Sequence, residues 1–308
     1  MFLIGCSRPP DRIGLNLVTG SQPFYLTHHY QVDQELDSLK QKLGCSPAGL
    51  VIQTGITGML SHPIQGAQTI YQLEGFLANH PGLTPFFVLY IDNNDLLTLC
   101  GGRFDADIAN LRKWFQSLHR PAAITIGYQV DSPIWNIDPE RFVTGYRCLV
   151  DDLTAGDVNN LSYGLYLSGM FPSYQQKDAF DWYPGDKYVN FIGITANRFT
   201  SSHFLSENQV FSDFNLPRIQ AFSRERNLPI VILESTPTAA LKVLPGLGDT
   251  VWQNYYEPLF DLLHRQQQIK GFTHHFADIQ SKGLKQRFYN YCSGQRFSPE
   301  VIFKSIER

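Results

Sequence analysis

The sequence predicts a (β/α)8 barrel, read as a single domain over residues 1–308. Three observations predict it. Eight short apolar runs bounded by turn residues recur along the chain, and segments with a 3.6-residue apolar period separate them. Several runs, such as Ile230-Val231-Ile232-Leu233, are apolar without alternation, as in parallel strands buried on both faces. No Gly-x-Gly-x-x-Gly turn follows the first run, which argues against the doubly wound alternative.

Taken in order, the expected strands cover residues 2–6, 49–54, 84–91, 122–128, 161–167, 189–194, 229–234 and 269–275. Val32, Leu36, Leu39 and Leu43 share one helix face, and Ile108, Leu111, Phe115 and Leu118 share another. A third face carries Phe142, Val143, Tyr146, Leu149, Val150 and Leu153, introduced by Asp138-Pro139 as an N-cap with proline at the first helical position. Late helices are expected over 252–267 and 298–306.

Composition narrows the partners. Apolar residues make up 43%, enough for a full core, while charged residues make up 17% and the net charge is −3. No basic field is available for nucleic acid or an anionic membrane. With 15 Tyr, 22 Phe and 4 Trp, the chain can line both a layered core and a site that grips the apolar faces of a ligand. No stretch approaches the roughly 18 apolar residues of a membrane span.

The opening Met-Phe-Leu-Ile-Gly-Cys superficially resembles a lipoprotein cleavage box ending at Cys6. Without a charged region and a longer apolar segment it reads as a strand. The expectation is a cytoplasmic protein as the sequence stands, or a secreted or lipid-anchored one if the true start lies upstream. Cys6, Cys45, Cys100, Cys148 and Cys292 are odd in number, widely spaced and without a Cys-x-x-Cys pair, so free thiols are expected.

Candidate chemistry collects at the ends of strands, where parallel barrels place their active sites. Glu234 closes a buried run and precedes Ser235-Thr236-Pro237. Its alternatives are a nucleophile or base at the barrel mouth and a carboxylate that ties down a loop. Gln129 and Asp131 end the fourth strand; two residues apart on extended backbone, they are expected on one face. Asp131-Ser132-Pro133 also fits a turn. Trp135 reads as a platform for the apolar face of a ligand or as a packing residue. His274 and His275 alternate on the eighth strand, which opposes a shared metal site, and His275 is the candidate to face a ligand. Neither a metal nor a cofactor is expected. Tyr183 and Asp186 precede the sixth strand and are placed at the opposite, stabilising end.

Three fragments occur in a telling order: Gly101-Gly102-Arg103-Phe104-Asp105-Ala106-Asp107-Ile108, Ile126-Gly127-Tyr128-Gln129-Val130-Asp131 and Trp182-Tyr183-Pro184-Gly185-Asp186. Together with Leu233-Glu234-Ser235-Thr236-Pro237 they resemble the glycoside hydrolases of family 26, the β-mannanase type. The resemblance spans nearly the whole chain. It implies a retaining mechanism on a β-linked carbohydrate, with Glu234 in the nucleophile's place and Gln129 in that of the general acid/base glutamate. Tyr128, Tyr166, Asn197, Trp135 and His275 are then the expected substrate contacts. Tyr166 stands where relatives tend to have Trp, and Phe276 and Ile279 replace a polar and an aromatic position.

An amide cannot donate the proton that a sugar leaving group needs. Three accounts of Gln129 are open: a hydrolase for good leaving groups, similar to the plant thioglucosidases; transfer of the acid role to Asp131; and a barrel that binds carbohydrate without cleaving it.

Overall fold

The computed structural model describes residues 14–17, 49–55, 75, 77–132, 135–156, 158–168, 178–195, 216–234, 252–259, 262, 266 and 268–275. Its strands are β1 (Gly14–Leu17), β2 (Gly49–Gly55), β3 (Thr84–Tyr90), β4 (Ala122–Ile126), β5 (Leu161–Leu167), β6 (Phe191–Thr195), β7 (Ile230–Glu234) and β8 (Ile269–His275). All pairings are parallel and follow chain order from β1 to β8. The sheet curls until Gly14, Leu15 and Asn16 of β1 lie opposite Thr273, His274 and His275 of β8.

Helices cover the outer face, α1 (Asn93–Leu99) and α2 (Asp105–Ser117) after β3, α3 (Pro139–Thr154) after β4, and α4 (Leu216–Glu225) after β6. After β5 the described connection holds a single 3₁₀ turn, Ala179–Trp182. The first turn of α3 forms as its sequence predicts: the Asp138 carboxylate accepts from the Arg141 N–H and proline occupies the first turn.

Two apolar layers result. Outward residues of β4, Ala122, Ile124 and Ile126, join Phe115 of α2 and Phe142, Tyr146 and Leu149 of α3 in the larger core. Inside the curl, Val51, Val88, Ala123, Tyr166, Phe191, Val231 and Leu233 pack together, with Phe86 and Tyr128 against them. Along β3 to β7 the residues alternate between these layers, as the pleat demands.

Most expected strands fall within two residues of their positions. The strand over 122–128 is shorter than expected and stops at Ile126. The strand expected over 2–6 lies outside the described residues, as do the helices over 32–43 and 298–306; the first strand of the described sheet is Gly14–Leu17. Late helical structure begins with a π turn, Trp252–Tyr256.

The cysteine expectation is corrected. Cys100 and Cys148 form a disulfide with their Cα atoms 5.5 Å apart. Cys100 caps the C-terminus of α1 and Cys148 lies on α3. Gly145 lets these helices approach, since a Cβ there would sit 2.8 Å from Leu96 Cδ2. A separation of 48 residues carries no motif from which the pair could be read. The other three cysteines lie outside the described residues.

Candidate functional site

The end of β7 departs from simple alternation, and the departure positions the site. Val231 and Leu233 face the interior, so the next residue should turn outward to the helices. Instead the register slips: Ile194 pairs with Ile232, but Thr195 pairs with Glu234. Leu233 is the extra residue of a bulge, and Glu234 joins it on the inner side.

The Glu234 carboxylate meets three donors through one oxygen. The Tyr128 hydroxyl donates to Oε2 at 2.7 Å, and the Tyr166 hydroxyl and Gln129 Nε2 approach it at 3.4 Å. Gln129 Nε2 also donates to Thr195 Oγ1 at 2.7 Å and Tyr128 Oη at 3.0 Å. Tyr166 Oη and Thr195 Oγ1 share a hydrogen bond of 2.8 Å. The three tyrosines beside the carboxylate remain protonated donors at neutral pH. Burial, and then the Glu234 charge, push Tyr90 up to about 12 and hold Tyr128 and Tyr166 well above the ordinary phenol value.

Gln129 reaches this cluster through an unusual backbone. After Ile126 the chain leaves the strand at Gly127, with φ of 87°, and passes Gln129 at φ of 47°. Gly127 is required twice over, by its positive φ and because a Cβ would lie 2.3 Å from Val130 Cγ1. Gln129 is a non-glycine residue held in the left-handed region, and it is buried.

This turn separates the two residues expected on one face. Asp131 does not point with Gln129: its Oδ1 accepts from the Ser168 N–H at 2.5 Å and its Oδ2 from the Ser168 hydroxyl at 2.9 Å. The same-face expectation fails because the backbone between them is a turn, closed by the Ser132 N–H donating to the Gln129 carbonyl at 2.8 Å. Burial raises the Asp131 carboxyl to about 6, against the lowering effect of the Ser168 bonds.

An aromatic wall stands beside the carboxylate. The Tyr90 and Tyr128 rings lie 4.8 Å apart, and Trp135 meets them at 5.9 and 5.8 Å. Trp135 is 43% exposed, so its indole is presented outward as well as packed. Its loop is fixed from α1: Asn93 Nδ2 donates to the Asn136 carbonyl, and Asn93 Oδ1 accepts from the Asp138 N–H, each at 3.0 Å.

The structure thus gathers Glu234, Gln129, Tyr128 and Tyr166, with Trp135 alongside, and diverts Asp131. Asn197 lies outside the described residues. His275 lies on β8 opposite Asn16. Tyr183 and Asp186 bond to each other at the far end of the strands, where Asp186 also pairs with Arg226 before β7. Sequence reasoning missed Thr195, Tyr90, Ser168 and Asn93. Inward parity on β6 and on β3, where Tyr90 follows Phe86 and Val88 in two-residue steps, would have found Thr195 and Tyr90; Ser168 and Asn93 carry no local signal. Among the described residues no group of three or more His, Cys, Asp or Glu is placed to hold a metal ion, and no helix is long and apolar enough to cross a membrane.

No protein-family model matches the sequence, and no curated protein matches it. Solved structures do match. The catalytic domain of a GH26 endo-β-1,4-mannanase from Bacillus sp. JAMB-750 aligns over 95% of this chain and 87% of its own, at 12% identity and a TM-score of 0.64. A GH26 β-mannanase from Bacteroides ovatus aligns over 96% and 91%, at 14% identity and a TM-score of 0.63. A Cellulomonas fimi endo-β-1,4-mannanase double mutant aligns over 92% and 70%, at 13% identity and a TM-score of 0.63. The chain has a curled parallel α/β fold similar to that of the GH26 endo-β-1,4-mannanases.

Proposed function

We propose that residues 1–308 form one (β/α)8 domain that acts on a β-linked oligo- or polysaccharide at the C-terminal ends of its strands, with Glu234 as nucleophile. The observation that carries this reading is the inward bulge at Glu234, whose carboxylate is held by Tyr128 at 2.7 Å. A carboxylate spends hydrogen bonds on being fixed where its orientation matters. The likeness to mannanase folds supports a carbohydrate ligand. Trp135 and Tyr128 would stack on the C–H face of a sugar, and Asn197 and His275 would contact its hydroxyls. In a retaining reaction Glu234 attacks the anomeric carbon and forms a glycosyl ester that water then opens.

A second reading, binding without cleavage, is favoured by Gln129. Its amide, 3.4 Å from the Glu234 carboxylate, donates to the groups around it and holds no acid proton for a leaving group. One experiment separates the readings. Incubation with 2,4-dinitrophenyl 2-deoxy-2-fluoro-β-mannoside, followed by peptide mass spectrometry, is expected to find a fluorosugar on Glu234. Absence of that label, together with mannooligosaccharide binding by calorimetry, would favour the second reading.

The Cys100–Cys148 disulfide supports an oxidising compartment over the cytoplasm. Thiol titration of protein isolated from its native cells tests this.

A further inference from the structure

We propose, resting on the hydrolase reading of Glu234, that the β-linked saccharides cleaved at this site are oligosaccharides carrying an acidic aglycone, such as an aryl group, which departs without taking a proton from the protein. The hydrogen-bond directions carry the argument. Tyr128 has one hydroxyl proton, and it goes to Glu234 Oε2 at 2.7 Å. Its oxygen must therefore accept the 3.0 Å contact from Gln129 Nε2. The second amide proton goes to Thr195 Oγ1 at 2.7 Å. Both amide protons are committed, and what remains of Gln129 is a carbonyl oxygen that only accepts. An alkoxide forming there would face a lone pair.

Among the described residues, neither Asp131 nor the tyrosines around Glu234 supply the missing proton, and the Tyr90 hydroxyl is pushed up to about 12 by burial and then by the Glu234 charge. Both oxygens of Asp131 accept from Ser168, on the other side of the turn. The Tyr128 and Tyr166 hydroxyls are committed to Glu234 and Thr195 and are held above the ordinary phenol value by burial and by the Glu234 charge. Only an aglycone that stabilises its own negative charge leaves readily from such a site.

The chemistry balances without another reactant than water. Glu234 Oε1, which accepts no hydrogen bond among the described residues, bonds to the anomeric carbon. The bond from that carbon to the aglycone oxygen breaks, and its electron pair leaves with the aglycone. Water then adds to the anomeric carbon, the ester bond to Glu234 breaks, the carboxylate is restored, and the proton from water passes to solvent.

The test is a leaving-group series on the wild-type protein: 2,4-dinitrophenyl, 4-nitrophenyl and phenyl β-mannobiosides, and mannopentaose. The expected kcat/KM falls by about 10²-fold or more from dinitrophenyl to phenyl, the span that general acid help normally covers, and mannopentaose is the slowest. Gln129→Glu is expected to raise phenyl mannobioside turnover by about 10²- to 10⁴-fold. If the variant does not fold, the wild-type series alone decides. Wild-type rates on phenyl mannobioside and mannopentaose within about tenfold of the dinitrophenyl rate, with Glu234 labelled by the fluorosugar, overturn this inference and leave the hydrolase reading standing. No turnover and no label overturn both.

Discussion

Thr195 and Glu234 face each other across β6 and β7 only because the register slips by one residue between them. Around that pair, Thr195 Oγ1 accepts from Gln129 and shares a bond with Tyr166, whose hydroxyl also reaches Glu234. Thr195→Val keeps the shape and removes the hydroxyl. It leaves buried donors without their partner and is expected to destabilise the fold by about 1 to 3 kcal/mol, measured by urea denaturation.

Tyr128→Phe removes the 2.7 Å donor to the Glu234 carboxylate. A hydrogen bond to a charged group contributes about 1.5 to 3 kcal/mol. If that energy orients the nucleophile, labelling of Glu234 by the fluorosugar slows by about 10- to 100-fold, while the Trp fluorescence of the native fold is retained. Unchanged labelling would show that Tyr128 only packs.

Gly127→Ala tests the turn that carries Gln129. The substitution adds a strained positive φ and a clash with Val130 and Phe142. The expected loss is about 2 to 4 kcal/mol, seen as a lower denaturation midpoint.

Asp131 gives the stability a pH signature. Its carboxyl is raised in the fold to about 6, from 3.8, chiefly by burial. Between those values the folded state binds more protons than the unfolded state, so this group's contribution is full below about 4 and is lost as pH rises through about 6. The loss is on the order of 3 kcal/mol. Asp131→Asn does not titrate, so the difference in stability between wild type and variant is expected to change by that amount between pH 4 and 7. Parallel curves in urea titrations would contradict it.

The Cys100–Cys148 bridge closes a loop over a separation of 48 residues. Chain-entropy reasoning assigns such a crosslink about 4 kcal/mol, acting on the unfolded chain. Denaturation with and without reductant should differ by about 2 to 4 kcal/mol, and Cys148→Ala should abolish the difference.

Much of this was legible in the sequence, for identifiable reasons. Strands β5 and β8 were found at both ends because apolar runs and turn residues mark them. Glu234 and Gln129 stand out in the sequence as polar groups ending buried runs, and the structure brings them within 3.4 Å of each other. The separation of Gln129 from Asp131 was not, since alternation assumes extended backbone and Gly127 breaks it. The inward turn of Glu234 was also hidden: a bulge is a relation between two strands, and nothing in Leu233-Glu234 alone announces it. The disulfide is likewise a product of helix packing, through Leu96 against Gly145.

Asn93 bridges the loop after Trp135 with both ends of its amide, accepting from Asp138 and donating to the Asn136 carbonyl. A ligand that rests on the indole therefore meets a surface already held in place. On the proposed reading, the conformational entropy of that loop is given up when the chain folds and not when a sugar binds, so more of the contact energy would be retained as affinity.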